Sequence, residues 1–143
     1  MLSYLLGVIM PTTHGEYRLT LKNNLLILEA TGPFNLQYVD RLVHDIQCKV
    51  SHIKKPWGQI TVFNNDSIFV PDAFLKLQSS MQQRKESGLK VVAVILREPQ
   101  CSFLIRSQIS EIYQGAQIPF QFFDNFSEAE HWIAATLNGS DQD

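Results

Sequence analysis

Two short stretches near the start of the chain carry the pattern of paired β-strands. Apolar side chains occupy every second position from 17 to 21, which is the period expected of a half-exposed strand. The apolar run at residues 25–28 follows after only Asn23-Asn24, and asparagine tolerates the positive φ of tight turns. The pattern predicts an antiparallel hairpin that ends at Gly32-Pro33, with its first strand at or near a sheet edge.

The clearest helical pattern in the chain follows this hairpin. Its apolar residues step by three and four without a miss, at Leu36, Val39, Val43, Ile46, Val50 and Ile53. Such a stripe predicts an amphipathic helix with one buried face. Asn35 is suited to cap its N-terminus, and Phe34 to pack on Val39 as a hydrophobic staple.

Strands and helices then alternate to the end of the chain. The predicted elements are a strand at 57–63, a helix from Pro71 with Arg84 and Lys85 in its last turn and Gly88 beyond it, a buried central strand at 91–96, a helix at 101–113, a strand at 120–123 and a helix from Glu128. Ser127 and Glu130 have the spacing of a capping box, which places the start of the last helix. The order β-β-α-β-α-β-α-β-α predicts a single α/β domain. Its sheet is mostly parallel, with an antiparallel first strand and right-handed crossover helices.

Composition and charge narrow the class of protein. The chain has 143 residues, of which 45% are hydrophobic and 18% charged, as in one ordinary globular domain. Its net charge is −2, so no basic field attracts nucleic acid, and we expect no nucleic-acid partner. The two cysteines, Cys48 and Cys101, do not form the pattern of a disulfide framework, which favours the cytoplasm.

The first ten residues are apolar but do not fit a targeting segment. No Lys or Arg precedes the apolar stretch and no cleavage pattern follows it. The stretch is also shorter than the roughly 20 apolar residues of a membrane span. We expect neither a signal peptide nor a membrane-spanning helix, and the alternative start at Met10 stays open.

The sequence carries no recognisable catalytic motif. Its seven glycines are isolated, so neither a dinucleotide fingerprint nor a P-loop is present. G-x-S-x-G, H-E-x-x-H and C-x-x-C are absent as well. Cys101 lies near a predicted helix start, where a thiol can be activated, but no histidine neighbours it in sequence. We therefore predict a protein that is not an enzyme, with no catalytic residue and no cofactor.

One helical face of the first helix holds three possible metal ligands. His44, Cys48 and His52 are spaced by four, and an i, i+4 pair of such residues can hold a transition metal. His44 and His52 are about 12 Å apart along the axis at 1.5 Å per residue, too far to share one ion. The favoured interpretation is a solvated face without a metal.

The segment 64–72, between the third strand and the second helix, is the candidate binding site. In open α/β sheets, ligands and partners bind at the carboxyl ends of the strands. The candidate residues are Asp66, Ser67, Ile68, Phe69, Val70 and Asp72, with Arg97 at the same end of the sheet. Asp66 and Ser67 are expected to be exposed. The apolar trio 68–70 either covers the end of the core or meets a partner inside an acidic rim.

Several local signatures appear in a known order between residues 17 and 137. They are Asn23-Asn24, Thr31-Gly32-Pro33-Phe34, Lys55-Pro56-Trp57, Val70-Pro71-Asp72-Ala73-Phe74, Gly88-Leu89-Lys90-Val91-Val92-Ala93-Val94 and Phe122-Phe123-Asp124. In order and spacing they resemble the SpoIIAA-like branch of the STAS family, whose founding members are bacterial anti-sigma-factor antagonists. The resemblance implies a small regulatory domain that binds other proteins.

The resemblance also implies a phosphorylatable Ser or Thr where the second helix begins. This sequence has Val70-Pro71-Asp72-Ala73 there, without a hydroxyl group, and the nearest one belongs to Ser67. A phosphorylation switch of the family's usual kind is therefore not expected. Whether Ser67 itself is ever phosphorylated stays open.

These observations lead to one predicted function and one alternative. The first is a non-enzymatic, cytoplasmic regulatory module that binds another protein through the segment 64–72. The alternative is a carrier of a lipid or other small apolar ligand, because the SpoIIAA-like fold resembles that of SEC14-type lipid-transfer domains and phenylalanine is abundant. We expect a SpoIIAA-like domain at 16–138, after an N-terminal extension at 1–15 and before a polar tail at 139–143.

Overall fold

A computed structural model describes residues 16–139 of the chain. Its strands are β1 (Glu16–Lys22), β2 (Leu25–Thr31), β3 (Trp57–Asn64), β4 (Leu89–Arg97) and β5 (Phe120–Phe123). Its helices are α1 (Leu36–Lys49), α2 (Pro71–Glu86), α3 (Ser102–Ala116) and α4 (Phe126–Gly139). The predicted extension at 1–15, with its alternative start, and the tail beyond Gly139 lie outside the described residues.

The strands form one sheet in the order β1-β2-β3-β4-β5. β1 pairs with β2 antiparallel, and the other neighbouring strands are parallel. Asn23 has a φ of 58° in the turn between β1 and β2, as the Asn-Asn pair predicts. The α/β class, the hairpin and the edge position of the first strand are thereby confirmed.

The first helix begins where the sequence predicts and ends earlier. The Oδ1 of Asn35 accepts a hydrogen bond from the Tyr38 N–H at 2.8 Å, which caps the N-terminus. The helix ends at Lys49, with Val50 as its C-cap. Ile53 lies in the turn beyond, where its N–H donates to the Val50 carbonyl at 3.1 Å. The apolar stripe thus continues past the helix, because the turn keeps Ile53 against the core.

The ends of the last two helices differ from the prediction. α3 extends to Ala116, three residues beyond the expected end, and Gln117 follows it in the left-handed conformation. α4 begins at Phe126, before the expected Glu128. The Oδ1 of Asn125 accepts the Glu128 N–H at 2.8 Å, so the predicted capping box at Ser127 is wrong. Asparagine caps helices as well as serine does, and the sequence offers both.

Two layers of apolar side chains cover the two faces of the sheet. The first contains buried residues of α1, α2 and α3, and the second those of α4. β4 contributes alternately to both, with Val92 and Val94 in the first layer and Val91 and Ala93 in the second. This confirms the central strand buried on both faces. Because β2, β3, β4 and β5 are parallel, their carboxyl ends lie together at one end of the domain.

Candidate functional site

The loop between β3 and α2 is held tightly at the carboxyl end of the sheet. Asn65 adopts a φ of 56°, and its N–H donates to the Arg97 carbonyl at 2.8 Å. The Phe34 N–H donates to the Ile68 carbonyl at 2.9 Å, and the Val70 N–H donates to the Phe34 carbonyl at 3.1 Å. These bonds fix the loop to the segment that precedes α1, so it is a structured part of the domain end.

Phe69 belongs to the core. Its ring stacks on Phe34 and meets the edge of Phe63, and its exposed fraction is only 4%. The side chain of Gln108 on α3 accepts from the Phe69 N–H at 3.1 Å and donates to the Phe69 carbonyl at 3.0 Å. Of the two interpretations of the apolar trio, covering the end of the core describes Phe69.

Ser67 is fully buried, so its predicted exposure is wrong. Its Oγ donates to the Asn64 carbonyl at 2.8 Å and accepts from the Gly32 N–H at 3.2 Å. The two chain segments approach closely here, since a Cβ on Gly32 would lie 2.7 Å from the Ser67 Cα. A phosphate on this hydroxyl would require the loop to open, because the residue is fully buried and its Oγ would no longer donate to the Asn64 carbonyl.

Asp66 fixes a second loop, the one that leads into α3. Its Oδ1 accepts from the Gln100 N–H at 2.8 Å and from the Cys101 N–H at 3.2 Å. The carboxylate is half-buried rather than fully exposed as predicted. It therefore serves the local structure by satisfying backbone donors at the start of α3.

The other predicted residues remain at the surface. Val70 and Asp72 are exposed at the start of α2, and Ile68 is half-buried. Arg97 is exposed at the end of β4, where its Nη1 lies 3.4 Å from the Glu29 carboxylate on β2. The structure thus separates the seven candidates into a buried set that builds the loop and an exposed set.

Three exposed apolar residues at the same end were not singled out from the sequence. Leu75 on α2 is 61% exposed, and Phe103 and Leu104 at the start of α3 are 86% and 45% exposed. We call these three, together with Val70, the end surface. Asp66 and Gln108 bind the loop before α2 to α3, which places the two helix starts side by side. The exposure of Phe103 could have been predicted from the sequence, because this residue falls outside the buried stripe of Ile105, Ile109 and Ile112 on α3.

The possible metal ligands and thiols lie elsewhere. On α1 the Cys48 Sγ and the His44 Nε2 are 3.7 Å apart, and both side chains are exposed. Within residues 16–139 no group of three His, Cys, Asp or Glu side chains is arranged to hold a metal ion. Cys101 is exposed, and neither cysteine forms a disulfide among the described residues.

None of the helices between residues 16 and 139 combines the length and apolar composition of a bilayer span.

No protein-family model matches the sequence, and no curated protein matches it significantly. A solved structure is similar: an uncharacterized protein from the DUF3478 family with a SpoIIAA-like fold, from Shewanella loihica PV-4. The similarity has a TM-score of 0.56 at 12% sequence identity and covers 88% of this chain and 99% of that one. Together with the strand order and the helices described above, it shows that this chain has a SpoIIAA-like fold.

Proposed function

We propose that this domain is a non-enzymatic regulatory module that binds another protein through the end surface. The observation that carries the proposal is the exposure of Phe103, an aromatic ring 86% open to solvent on the second residue of α3. Aromatic side chains are enriched in protein interfaces. An apolar group of this kind at the carboxyl end of the strands supports a binding role.

The end surface rests on a rigid base, which favours tight binding. Val70 and Leu75 extend from the start of α2, whose Ala73 and Leu77 are buried against the core. The loop before α2 is held by backbone hydrogen bonds to Phe34 and by the Gln108 side chain. A loop whose backbone is already held in place loses less entropy on association than a mobile loop does.

Charged groups near the same end give a partner polar contacts. Asp72 is exposed in the first turn of α2, and the exposed pair of Arg97 and Glu29 lies at the ends of β4 and β2. An apolar centre with a polar rim is the usual composition of a protein interface. The predicted residues Asp72, Val70 and Arg97 therefore keep a place in the proposed site.

The non-enzymatic role rests on the sequence and on how the polar groups of the loop are used. The chain carries no catalytic motif. The Ser67 hydroxyl and the Asp66 carboxylate, which are the reactive groups of the predicted segment, hydrogen-bond to backbone groups of the domain itself. Such bonds favour a structural use of these residues over chemistry on a substrate.

The test compares partner recovery by three forms of the tagged protein, expressed at native levels and analysed by native mass spectrometry. Phe103→Ser changes the centre of the end surface. Leu21→Ser is the matched control, since Leu21 is an exposed leucine on β1, away from the helix starts. We expect a stoichiometric protein partner with the wild type and the control, and its loss with Phe103→Ser. Recovery of the same partner by Phe103→Ser at the wild-type level would refute the proposal.

A further inference from the structure

A cavity lies between α1 and α2 at the end of these helices opposite the end surface. Its volume is about 210 Å³. Its lining residues come from the second half of α1, from the turn before β3 and from the last turns of α2: Val43, Ile46, Gln47, Val50, Ser51, Ile53, Lys55, Ser80, Gln83, Arg84 and Ser87. The cavity therefore has no residue in common with the end surface.

The two walls of the cavity differ in chemistry. α1 and the turn that follows it contribute mainly apolar side chains, those of Val43, Ile46, Val50 and Ile53, together with Gln47 and Ser51. The wall from α2 is polar and includes Arg84, and Lys55 adds a second positive charge. No acidic side chain of the described residues lines the cavity. A ligand that matches these walls has an apolar body and a negative charge.

Arg84 is the unusual member of the lining. Its exposed fraction is 6%, and its Nη1 donates to the Gln59 Oε1 on β3 at 3.2 Å. Its Nη2 is buried without a hydrogen-bond partner in residues 16–139. No carboxylate of this part of the chain forms an ion pair with it. The interior therefore holds a cation without a counter-charge, which is energetically unfavourable.

The neighbours of Arg84 do not neutralise this charge. Gln59 is a neutral amide whose Nε2 donates to the Thr61 Oγ1 at 2.7 Å. Tyr113 also lies near, but burial raises the pKa of its hydroxyl, so the phenol stays neutral. Burial lowers the pKa of Arg84, yet an arginine side chain is not deprotonated in proteins. The guanidinium therefore keeps its positive charge, and Arg84 is one of the residues that line the cavity.

We propose that this cavity binds a small organic carboxylate, with its carboxyl group paired to Arg84 and its apolar body packed on α1. A carboxylate carries one negative charge for one buried cation, and its two oxygens suit the planar guanidinium. The cavity is smaller than the roughly 300–1,000 Å³ of drug-sized ligand sites, which restricts the body to a short chain or a single ring. This binding site is independent of the proposed protein interface.

The first experiment titrates the ¹⁵N-labelled domain with hexanoate, octanoate and benzoate, using 1-hexanol as a neutral comparison. We expect saturable shifts of amide signals around the cavity with at least one carboxylate at millimolar concentration. Hexanol is expected to bind at least about tenfold more weakly than hexanoate, because it lacks the charge that pairs with Arg84. Absence of saturable binding by all three carboxylates, or equal binding of hexanol, would overturn the proposal.

Two variants test the role of Arg84 and of the cavity. Arg84→Met removes the charge and keeps a long side chain, and Arg18→Met makes the same change at an exposed site on β1. Carboxylate binding is expected to be lost in the first and kept in the second. Ser80→Phe fills the cavity and leaves Arg84 in place, so it gives the answer if Arg84→Met does not fold. Wild-type affinity in a folded Arg84→Met or in Ser80→Phe would contradict the assignment. Phe103→Ser is expected to bind the carboxylate as the wild type does.

Discussion

The ring of Phe69 stacks on the ring of Phe34, with their centroids 4.5 Å apart and an angle of 27° between their planes. The two residues also face each other in an isolated parallel bridge. Phe69 comes just before α2 and Phe34 just before α1. The pair therefore connects the segments that precede both helices and covers the core beneath the end surface.

Replacing Phe69 by serine is expected to destabilise the domain strongly. Removing a buried aromatic ring from a core typically costs about 3–5 kcal/mol, and serine adds a polar group to the space that remains. Val70→Ser is the matched control, because the neighbouring valine is 40% exposed and surface changes are usually within about 0.5 kcal/mol. Urea denaturation followed by circular dichroism measures both. Similar stability of the two variants would show that Phe69 is not a core residue.

Ser67 is expected to tolerate neither loss of its hydroxyl nor addition of charge. Ser67→Ala removes the bonds to Gly32 and Asn64 and leaves buried backbone groups unsatisfied, which costs about 1–3 kcal/mol. Ser67→Glu is expected to cost more, because it buries a carboxylate. Ser79→Ala, at an exposed position of α2, serves as the control and is expected to be near neutral. An equally stable Ser67→Glu would show that the site can accommodate a phosphate.

Gly32 is expected to be intolerant of any side chain. A Cβ at this position would lie 2.7 Å from the Ser67 Cα, a backbone atom that can move only with the loop. Overpacking of this kind costs typically 1–3 kcal/mol, so Gly32→Ala should lower the midpoint of urea denaturation. Gly139→Ala is the matched change, since no described atom lies within 4 Å of a Cβ there. Equal midpoints of Gly32→Ala and Gly139→Ala would mean that the loop moves without a loss of stability.

The stability of the domain is expected to fall above about pH 10, in part through Tyr38. Burial raises the pKa of this phenol above its ordinary value, so its contribution to stability is complete below the unfolded pKa of about 10 and is lost as pH rises further. Its hydroxyl donates to the carbonyls of Glu16 and Thr31. Tyr38→Phe should be less stable at neutral pH and should lose less stability between neutral and alkaline pH. Parallel pH profiles of the two proteins would contradict this assignment.

The order of the elements could be predicted because each one leaves a periodic pattern. The apolar stripe of α1, the Asn35 cap, Pro71 at the start of α2 and the six-residue apolar run of β4 all depend on neighbours in sequence. The burial of Ser67 and Phe69 could not be predicted in this way. It depends on Gly32 and Phe34, about 35 residues earlier in the chain, and an irregular loop has no period that reports such contacts.

Arg84 shows how one residue can satisfy two patterns. A basic residue in the last turn of a helix suits the helix dipole, and arginine is in general mostly exposed. Arg84 also continues the three-and-four spacing of Leu77 and Met81, which are buried. The structure follows the second pattern. The surroundings of Arg84 could not be predicted from the sequence, because the neutral partner Gln59 and the cavity both depend on the packing of α1, α2 and β3.

The length of α2 sets the relation between the two proposed sites. The helix has 16 residues and is about 24 Å long at 1.5 Å per residue. It carries part of the end surface at its start and Arg84 near its end, so the two proposed sites lie at opposite ends of the same helix. If α2 moves on binding either one, thermodynamic linkage requires each to change the affinity of the other by the same factor. A factor different from one would mean that carboxylate binding near the end of α2 alters protein binding near its start.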